Sequence, residues 1–366
     1  MNAVMQLQFS HGVLWRADKW YRRAWYAGPQ LTAVLVAGWL LSAQSGAGAG
    51  GGAGRWGKPV SDSELTKNAE AQLIRAENDA AAAEELKTLA DSGDLYAEFE
   101  YGVLLDPHFK LPRPTATDLN LALRYYHASA LQGHDVAASN YGYYVAFGEG
   151  VPKNPAEGLP FIVRAANDNY SVAQTNLGMA YRDGVGVPKN EAVALQWFQK
   201  GADQGNHYAQ AEIGEAYWNG TAPYPQDRGA AFQWFSKAAT NDTEIYSMRR
   251  LGEAYRSGQG VAVDIPQALA WFRRAADAGE TYSAAEIGIA YWNGTAPYPA
   301  DPGEAVKWLE FAAKSAQETD AQRMLGMAYR DGRGVVRDPA QARYWFSQAV
   351  KNGDAQAPAM LQSMSE

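Results

Sequence analysis

The residues best suited to chemistry in this sequence are its five histidines, and their spacing does not favour a catalytic or metal site. Only His108, His127 and His134 fall in neighbouring segments, and no two histidines stand four residues apart, the spacing with which one helix face presents two imidazoles to zinc. The chain has no cysteine, which excludes disulfides, thiolate ligands and a cysteine nucleophile. No nucleophile elbow or phosphate-binding loop appears either. We therefore expect a protein that is not an enzyme and that holds no metal or cofactor.

A second set of residues is suited to recognition rather than catalysis. The residue that follows a recurrent tyrosine alternates between arginine and tryptophan, and this Arg/Trp column consists of Arg182, Trp218, Arg256, Trp292 and Arg330. Tryptophan and arginine are enriched in the hot spots of protein interfaces. Within one protein, a guanidinium stacked over an indole also stabilises the fold by about 0.5–2 kcal/mol. The column therefore predicts a partner-binding stripe, an internal ladder in which arginines cover tryptophans, or both.

Both tryptophans of the column lie inside a repeated decapeptide. The sequence AYWNGTAPYP occurs at residues 216–225 and again, unchanged, at residues 290–299. Two prolines restrict the backbone of this loop, so we expect Tyr224 and Tyr298 to be held at fixed positions. The partner-binding hypothesis therefore covers the five residues of the column and these two tyrosines.

An internal repeat must position all of these residues. A glycine recurs at positions 102, 142, 178, 214, 252, 288 and 326, and a tryptophan recurs every 37 residues from Trp197 to Trp345. Each unit contains two apolar stripes at helical spacing, separated in most units by a glycine-rich turn, which predicts a pair of helices. One helical pair cannot bury both of its faces, so the units must stack. The alternation between arginine and tryptophan makes a pair of units, 74 residues long, the true period.

The repeat has a recognisable pattern. Residues 177–187, LGMAYRDGVGV, and residues 194–202, ALQWFQKGA, carry L-G-x-x-Y-x-x-G-x-G-V and then A-x-x-W-F; the pattern recurs at 251–276 and 325–350. It resembles the Sel1-like repeat, a relative of the tetratricopeptide repeat. This resemblance implies an all-α fold, a right-handed α-solenoid of seven helix-turn-helix repeats with capping helices. It also implies a scaffold or adaptor that binds proteins, often in bacterial envelopes and signalling.

The N-terminal segment differs from the repeats. Residues 1–30 hold four basic side chains and one acidic side chain, a charge of +3, so the rest of the chain carries −8 − 3 = −11. The almost wholly apolar stretch 31–43 follows and runs into a glycine-rich tether. Its length is typical of the apolar core of a signal peptide, and extended back to residue 24 it is long enough for a membrane anchor. The preceding basic residues predict that the N-terminus stays in the cytoplasm.

These observations predict three parts. Residues 1–54 form a basic, aromatic segment and an N-terminal hydrophobic helix for export or membrane anchoring, residues 55–84 form a linker and the start of a capping helix, and residues 85–366 form the solenoid. The hydrophobic helix either remains as a single anchor in the bacterial inner membrane, with the solenoid in the periplasm, or is cleaved to leave a soluble periplasmic protein. A cytoplasmic adaptor is the third alternative, if the segment is not exported.

Two functions agree with this organisation. The first is a non-enzymatic protein–protein interaction scaffold of the bacterial cell envelope, whose partners are envelope proteins or subunits of a membrane complex. The alternative is a periplasmic glycan-binding module, in which Trp218, Tyr224, Trp292 and Tyr298 stack on sugar rings of a polysaccharide. Stacking requires exposed rings, so the exposure of these side chains distinguishes the two. Nucleic acid is not expected as a partner, because phosphate binding depends on clustered lysine and arginine and the body of the chain is acidic.

Overall fold

The computed structural model describes residues 72–73, 75–109, 117–240 and 244–364. These residues form sixteen α-helices, and no strand occurs among them. The helices are α1 (Ala80–Asp91), α2 (Leu95–Leu105), α3 (Leu119–Leu131), α4 (Asp135–Phe147), α5 (Pro155–Asn167), α6 (Ser171–Asp183), α7 (Glu191–Asp203), α8 (His207–Asn219), α9 (Arg228–Ala238), α10 (Ile245–Ser257), α11 (Ile265–Asp277), α12 (Thr281–Asn293), α13 (Pro302–Ala312), α14 (Thr319–Asp331), α15 (Pro339–Lys351) and α16 (Ala357–Gln362).

The helices from α2 to α15 form seven consecutive pairs, one pair for each predicted repeat. Helix α1 packs on the first pair and the short helix α16 packs on the last, so each end of the solenoid carries an additional helix. The predicted all-α repeat architecture is therefore confirmed. The predicted N-terminal hydrophobic helix lies outside the described residues. Within the part of the chain that the structure describes, no helix combines the length and the hydropathy needed to cross a bilayer.

Local signals in the sequence determine where the helices begin and end. Helix α7, for example, begins after Asn190, whose side chain accepts a hydrogen bond from the backbone N–H of Val193 at 3.1 Å. The first helix of each repeat from two to seven ends at a glycine with positive φ, the conformation that glycine adopts without steric cost. These glycines are Gly148, Gly184, Gly220, Gly258, Gly294 and Gly332.

The recurrent glycine of each repeat allows its two helices to pack closely. A Cβ atom at Gly178 would lie 2.7 Å from the ring of Phe198, and one at Gly252 would lie 2.5 Å from the ring of Phe272. Both phenylalanines are fully buried. Contacts this short are sterically forbidden, so an alanine at either glycine would push the helix pair apart. The glycine and the large apolar side chain that it faces, which is aromatic in five repeats and Ile162 or Leu309 in the other two, therefore fix the helix pair within each repeat.

The solenoid has an inner and an outer layer of helices. The first helices of consecutive repeats contact each other directly: α4 contacts α6, and α12 contacts α14. We therefore assign the first helices to the inner layer and the second helices to the outer layer. The Arg/Trp column lies at the C-terminal ends of inner helices, next to the junction with the following repeat. This position decides what the column contacts.

Candidate partner-binding surface

The two tryptophans of the column are buried, each beneath an arginine. Trp218 is 8% exposed and Trp292 is 7% exposed. The guanidinium of Arg228 lies 4.0 Å from the ring centre of Trp218, and that of Arg333 lies 3.9 Å from the ring centre of Trp292. Each arginine also donates a hydrogen bond to the backbone carbonyl of the tryptophan that it covers, at 2.6 Å for Arg333. The tryptophans therefore belong to the core of the solenoid.

The two covering arginines come from different places in the repeat. Arg228 is the first residue of α9, in the same repeat as Trp218, and the first residue of the equivalent helix α13 is Pro302. Arg333 lies in the turn of the repeat that follows Trp292, and the equivalent turn after Trp218 has Gln259 between its two glycines. The junction after Trp218 therefore has its guanidinium at the start of the outer helix, and the junction after Trp292 has it in the turn of the following repeat. The same contact reached from two positions indicates that a structural requirement maintains it.

This burial corrects two predictions. The glycan-binding alternative required exposed rings at Trp218 and Trp292, and it is wrong for both, because the arginines occupy the face on which a sugar would stack. A partner protein could not use these two rings as direct contacts either, because they are buried. Of the two roles considered for the column, its tryptophans have the internal one.

The arginines of the column join consecutive repeats. Arg182 is itself buried, and its guanidinium donates to the carboxylate of Glu212 at 2.6 Å and to the hydroxyl of Tyr208 at 3.2 Å, both in the next repeat. It also pairs with the neighbouring Asp183 at 2.9 Å. Burial opposes the charge of Arg182, but the pKa is raised in total because Glu212 and Asp183 stabilise the charged form. Arg182 is therefore a charged junction residue.

Arg256 makes the same contacts 74 residues further along. It donates to the hydroxyl of Tyr282 at 2.8 Å and to the carboxylate of Glu286. Its side chain is 42% exposed, against 10% for Arg182. Arg330 pairs with the adjacent Asp331 at 2.7 Å and is about one third exposed. Arg256 and Arg330 are thus the members of the column that solvent, and hence a partner, can reach.

The two loop tyrosines fold back onto the solenoid. The Tyr224 ring lies 4.6 Å from the ring of Tyr217, and its hydroxyl donates to Gln199 at 2.9 Å. The Tyr298 ring lies 4.5 Å from that of Tyr291. Both tyrosines are half-buried between the inner helix of their own repeat and the outer helix of the preceding repeat. The prediction that the loop holds them in place agrees with these contacts, but the rings do not project toward solvent.

Another row of aromatic side chains lies on the outer layer, and the partner-binding prediction did not include it. This tryptophan row contains one half-buried tryptophan from the second helix of each repeat from three to seven. The row consists of Trp197, Trp234, Trp271, Trp308 and Trp345. The constant spacing of 37 residues was the available signal, and it was used only to find the repeats.

Cations line the tryptophan row on its solvent side. The ammonium of Lys200 lies 3.8 Å from the ring centre of Trp197, and that of Lys237 lies 4.1 Å from the ring centre of Trp234. Further along the row the cations are arginines. The guanidinium of Arg274 lies 4.4 Å from the ring centre of Trp271, and that of Arg273, in the preceding repeat, lies 4.7 Å from the ring centre of Trp308. Four tryptophans of the row, those of repeats three to six, therefore have a cation at the ring.

His134 and His108 have structural roles at repeats one and two. The ring of His134 accepts a hydrogen bond from the backbone N–H of Ala137 at the start of α4, and burial lowers the pKa of His134 to about 3, so it is neutral. His108 contacts Asp106 at 3.0 Å, and the hydroxyl groups of Tyr126 and Tyr144 donate to the same carboxylate. Across the described residues, no group of three or more potential ligands could hold a metal ion.

Comparisons with known proteins agree with the repeat count. The family model of the Sel1 repeat matches seven consecutive segments, residues 96–134, 135–170, 171–206, 207–242, 245–280, 281–316 and 319–354. The solved structure of a Sel1 repeat protein from Oxalobacter formigenes is similar to this chain, with 28% identity and a TM-score of 0.56 over 74% of this chain and 99% of that chain. A protective antigen present in uropathogenic Escherichia coli strains is 27% identical over 77% of this chain and 67% of its own, with a TM-score of 0.47.

A fungal relative is similar over a shorter region. Chitin synthase regulatory factor 3 of Schizosaccharomyces pombe is 31% identical over 120 residues, which are 32% of this chain. The matched region spans 13% of that protein, so most of the relative has no counterpart in the alignment.

Proposed function

The chain belongs to the Sel1 repeat family, and on this premise we propose that it is a non-enzymatic scaffold of the bacterial cell envelope that binds protein partners through its solenoid surface. Sel1 repeat proteins generally mediate protein–protein interactions, and their fold is typically a scaffold without catalytic activity. The partner is a protein of the envelope, and the chain serves as an accessory subunit of a membrane complex.

The observation that carries this proposal is the tryptophan row. Five half-buried indoles stand at a constant spacing, with a lysine beside two of them and an arginine beside two others. Tryptophan and arginine are enriched at interface hot spots. At the end of the row, Tyr344 is 50% exposed and its ring lies 5.0 Å from that of Trp345. An acidic, extended surface of a partner would meet both the cations and the aromatic rings. Arg256 and Arg330 offer further exposed cations on the inner layer.

The location in the envelope rests on the sequence before the solenoid. The basic and aromatic segment, the apolar stretch 31–43 and the glycine-rich tether together favour export with the solenoid in the periplasm, either anchored or released. These residues lie outside the described part of the chain. Fractionation of the source cells tests this part of the proposal, combined with N-terminal sequencing of the mature protein. Recovery of the intact chain from the cytoplasm would contradict it.

A charge-reversal variant tests the binding surface without removing core side chains. We expect Lys200→Glu/Lys237→Glu to reduce recovery of partner proteins from detergent-solubilised membranes of the source organism by about tenfold or more, because two cations of the row become anions. The matched control is Lys189→Glu/Lys351→Glu, which changes the charge equally at two exposed lysines outside the row. Equal recovery by both variants and the wild type would show that the row is not the binding surface.

A further inference from the structure

A cavity opens between the outer helices α3 and α5, beside repeat two. Its volume is about 360 Å³, and its walls come from α3, α4, α5 and the turn that joins α4 to α5. Leu123, Val145 and Val151 supply apolar wall, and His127 lies among them. The rim is polar and includes the exposed side chain of Arg124. This volume falls in the range of about 300–1,000 Å³ that small binding pockets occupy.

In repeats four and six, the chain itself fills the corresponding groove with a tyrosine. His127 is the ninth residue of α3, and the ninth residues of α7 and α11 are Gln199 and Arg273. The hydroxyl of Tyr224 donates to Gln199 at 2.9 Å, and the hydroxyl of Tyr298 lies beside the guanidinium of Arg273. In both repeats, a tyrosine ring thus lies in the groove with its hydroxyl at the position that His127 occupies in repeat one.

Two substitutions explain why the groove at repeat two is open. Val145 is the eleventh residue of α4, and the eleventh residues of α8 and α12 are Tyr217 and Tyr291, which pack on the loop tyrosines. In the turn, Val151 precedes a proline at the place where the loops of repeats four and six have their tyrosine. Two valines therefore replace two aromatic rings, and the cavity is the space that those rings would fill.

The lining of the cavity suits an aromatic ring that carries a hydroxyl group. The ring of His127 is held by Tyr141 at 4.6 Å and by Phe161 at 5.4 Å between ring centres. Burial lowers the pKa of His127, so the imidazole is neutral near pH 7 and has one donor and one acceptor nitrogen. The carboxylate of Glu157 at the rim already accepts hydrogen bonds from the hydroxyl of Tyr141 and the side-chain amide of Asn154. His127 is therefore the group placed to bind an entering hydroxyl.

We propose that this groove binds a tyrosine side chain presented by a protein partner. The proposal deepens the scaffold function and rests on it, because the occupant is taken from a partner protein. The ring lies on Leu123 and Val145 between α3 and α5, and its hydroxyl meets His127 as that of Tyr224 meets Gln199. Proline on either side of the tyrosine favours binding, since the two internal occupants stand in Pro-Tyr-Pro segments and a restricted backbone loses less entropy on binding.

A peptide copied from the chain's own loop provides the probe. The fluorescein-labelled peptide NGTAPYPQD, residues 219–227, is titrated with the full-length protein, and binding is followed by fluorescence anisotropy. We expect saturable binding with a dissociation constant below about 1 mM, and at least about tenfold weaker binding when alanine replaces the tyrosine of the peptide. Absence of saturation at that concentration, or equal binding of the alanine peptide, would overturn the proposal.

Two variants place the binding in the groove. Val151→Tyr introduces a tyrosine at the place where the loops of repeats four and six have theirs, and we expect this ring to occupy the groove and weaken peptide binding about tenfold or more. His127→Gln introduces the side chain that holds Tyr224, and we expect it to retain binding within about twofold. Circular dichroism verifies that both variants fold, and the prediction for His127→Gln remains testable if Val151→Tyr does not. Unchanged affinity in folded Val151→Tyr, or loss of binding in folded His127→Gln, would contradict the proposal.

Partner capture separates a failure of this proposal from a failure of the scaffold function. If Val151→Tyr recovers the same envelope proteins as the wild type in equal amounts, the groove proposal is wrong and the scaffold function stands. If the wild type recovers no envelope protein at all, the proposed scaffold function is wrong, and the groove proposal, which rests on it, loses its partner protein. The peptide titration is independent of which partner is present.

Discussion

The junctions between consecutive repeats are of two kinds, and the difference shows how one fold position can be stabilised by opposite chemistry. At the arginine junctions, between repeats three and four and between five and six, Arg182 and Arg256 donate to a glutamate and a tyrosine of the next repeat. At the tryptophan junctions, between four and five and between six and seven, Trp218 and Trp292 are buried beneath an arginine.

The residue opposite each of the first four members of the column is matched to it. The sixth residue of the following inner helix is Glu212 or Glu286 where the column has arginine. It is Arg250 or Met324 where the column has tryptophan. Arg250 lies 5.1 Å from the ring centre of Trp218 and pairs with Glu215 at 2.7 Å. The alternation read in the sequence is therefore a pattern of matched pairs across junctions, and it disfavours a misplaced repeat, because an arginine would then face an arginine or a methionine.

The largest difference between the two kinds of junction should appear on truncation of a tryptophan. Trp292→Ala removes a buried ring and leaves a cavity, so we expect the free energy of unfolding to fall by about 3–5 kcal/mol. Urea denaturation followed by circular dichroism measures it. The control is Trp345→Ala, which truncates a half-buried ring of the outer layer and should cost clearly less. Equal losses would show that the tryptophan junction is not a core contact.

Truncation of an arginine should separate the two arginine junctions from each other. Arg182→Ala leaves the largely buried Glu212 without its cation, and we expect a loss of about 2–3 kcal/mol in the free energy of unfolding. Arg256→Ala breaks an exposed pair and should cost about 0.5–1 kcal/mol. Adding Glu212→Leu to Arg182→Ala should recover part of the loss, because it removes the unpaired carboxylate. A double variant less stable than Arg182→Ala alone would contradict this account.

Buried glutamates at the start of inner helices give the junctions different pH dependence. Glu244, before α10 at a tryptophan junction, accepts a hydrogen bond from the N–H of Ser247 at 3.3 Å, and burial raises the pKa of Glu244 to about 8. Glu280, before α12 at an arginine junction, also has a pKa raised by burial, but its contacts with Ser283 and the nearby Arg249 partly offset this effect. Both are charged in the unfolded chain near pH 7.

The sign of the effect follows from proton binding. The folded chain binds the proton of Glu244 more tightly than the unfolded chain, so this contribution to stability is complete below the ordinary glutamate pKa of 4.5 and is lost as the pH rises through about 8. We expect a slope of up to about 1.4 kcal/mol per pH unit between these values. Urea midpoints measured from pH 5 to 8 should show a flatter slope in Glu244→Gln, with a smaller change in Glu280→Gln. A slope unchanged by Glu244→Gln would refute the assignment.

Local chemistry explains which features the sequence could predict. The helix pairs follow from apolar periodicity, and their ends follow from Asn190 and from glycines such as Gly184, because these signals act within a few residues. The burial of Trp218 and Trp292 was not predictable in the same way. The covering arginines lie 10 and 41 residues further along, and neither position recurs in every pair of repeats. The open groove beside Val145 likewise depends on an absence that is visible only when the repeats are superposed.

The smallest expected effect tests whether a tryptophan junction needs its arginine at one particular position. Arg333→Ala removes the cation from the Trp292 ring and the donor from its carbonyl, so we expect a loss of about 1 kcal/mol in the free energy of unfolding. Adding Pro302→Arg places a guanidinium where Arg228 covers Trp218, and it should restore most of that loss. The single variant Pro302→Arg corrects for the effect of removing proline from the first turn of α13. Restoration would mean that the junction requires a guanidinium over the indole and that either position, 302 or 333, can supply it. A double variant as unstable as Arg333→Ala, after that correction, would mean that the turn of the next repeat contributes more than its arginine.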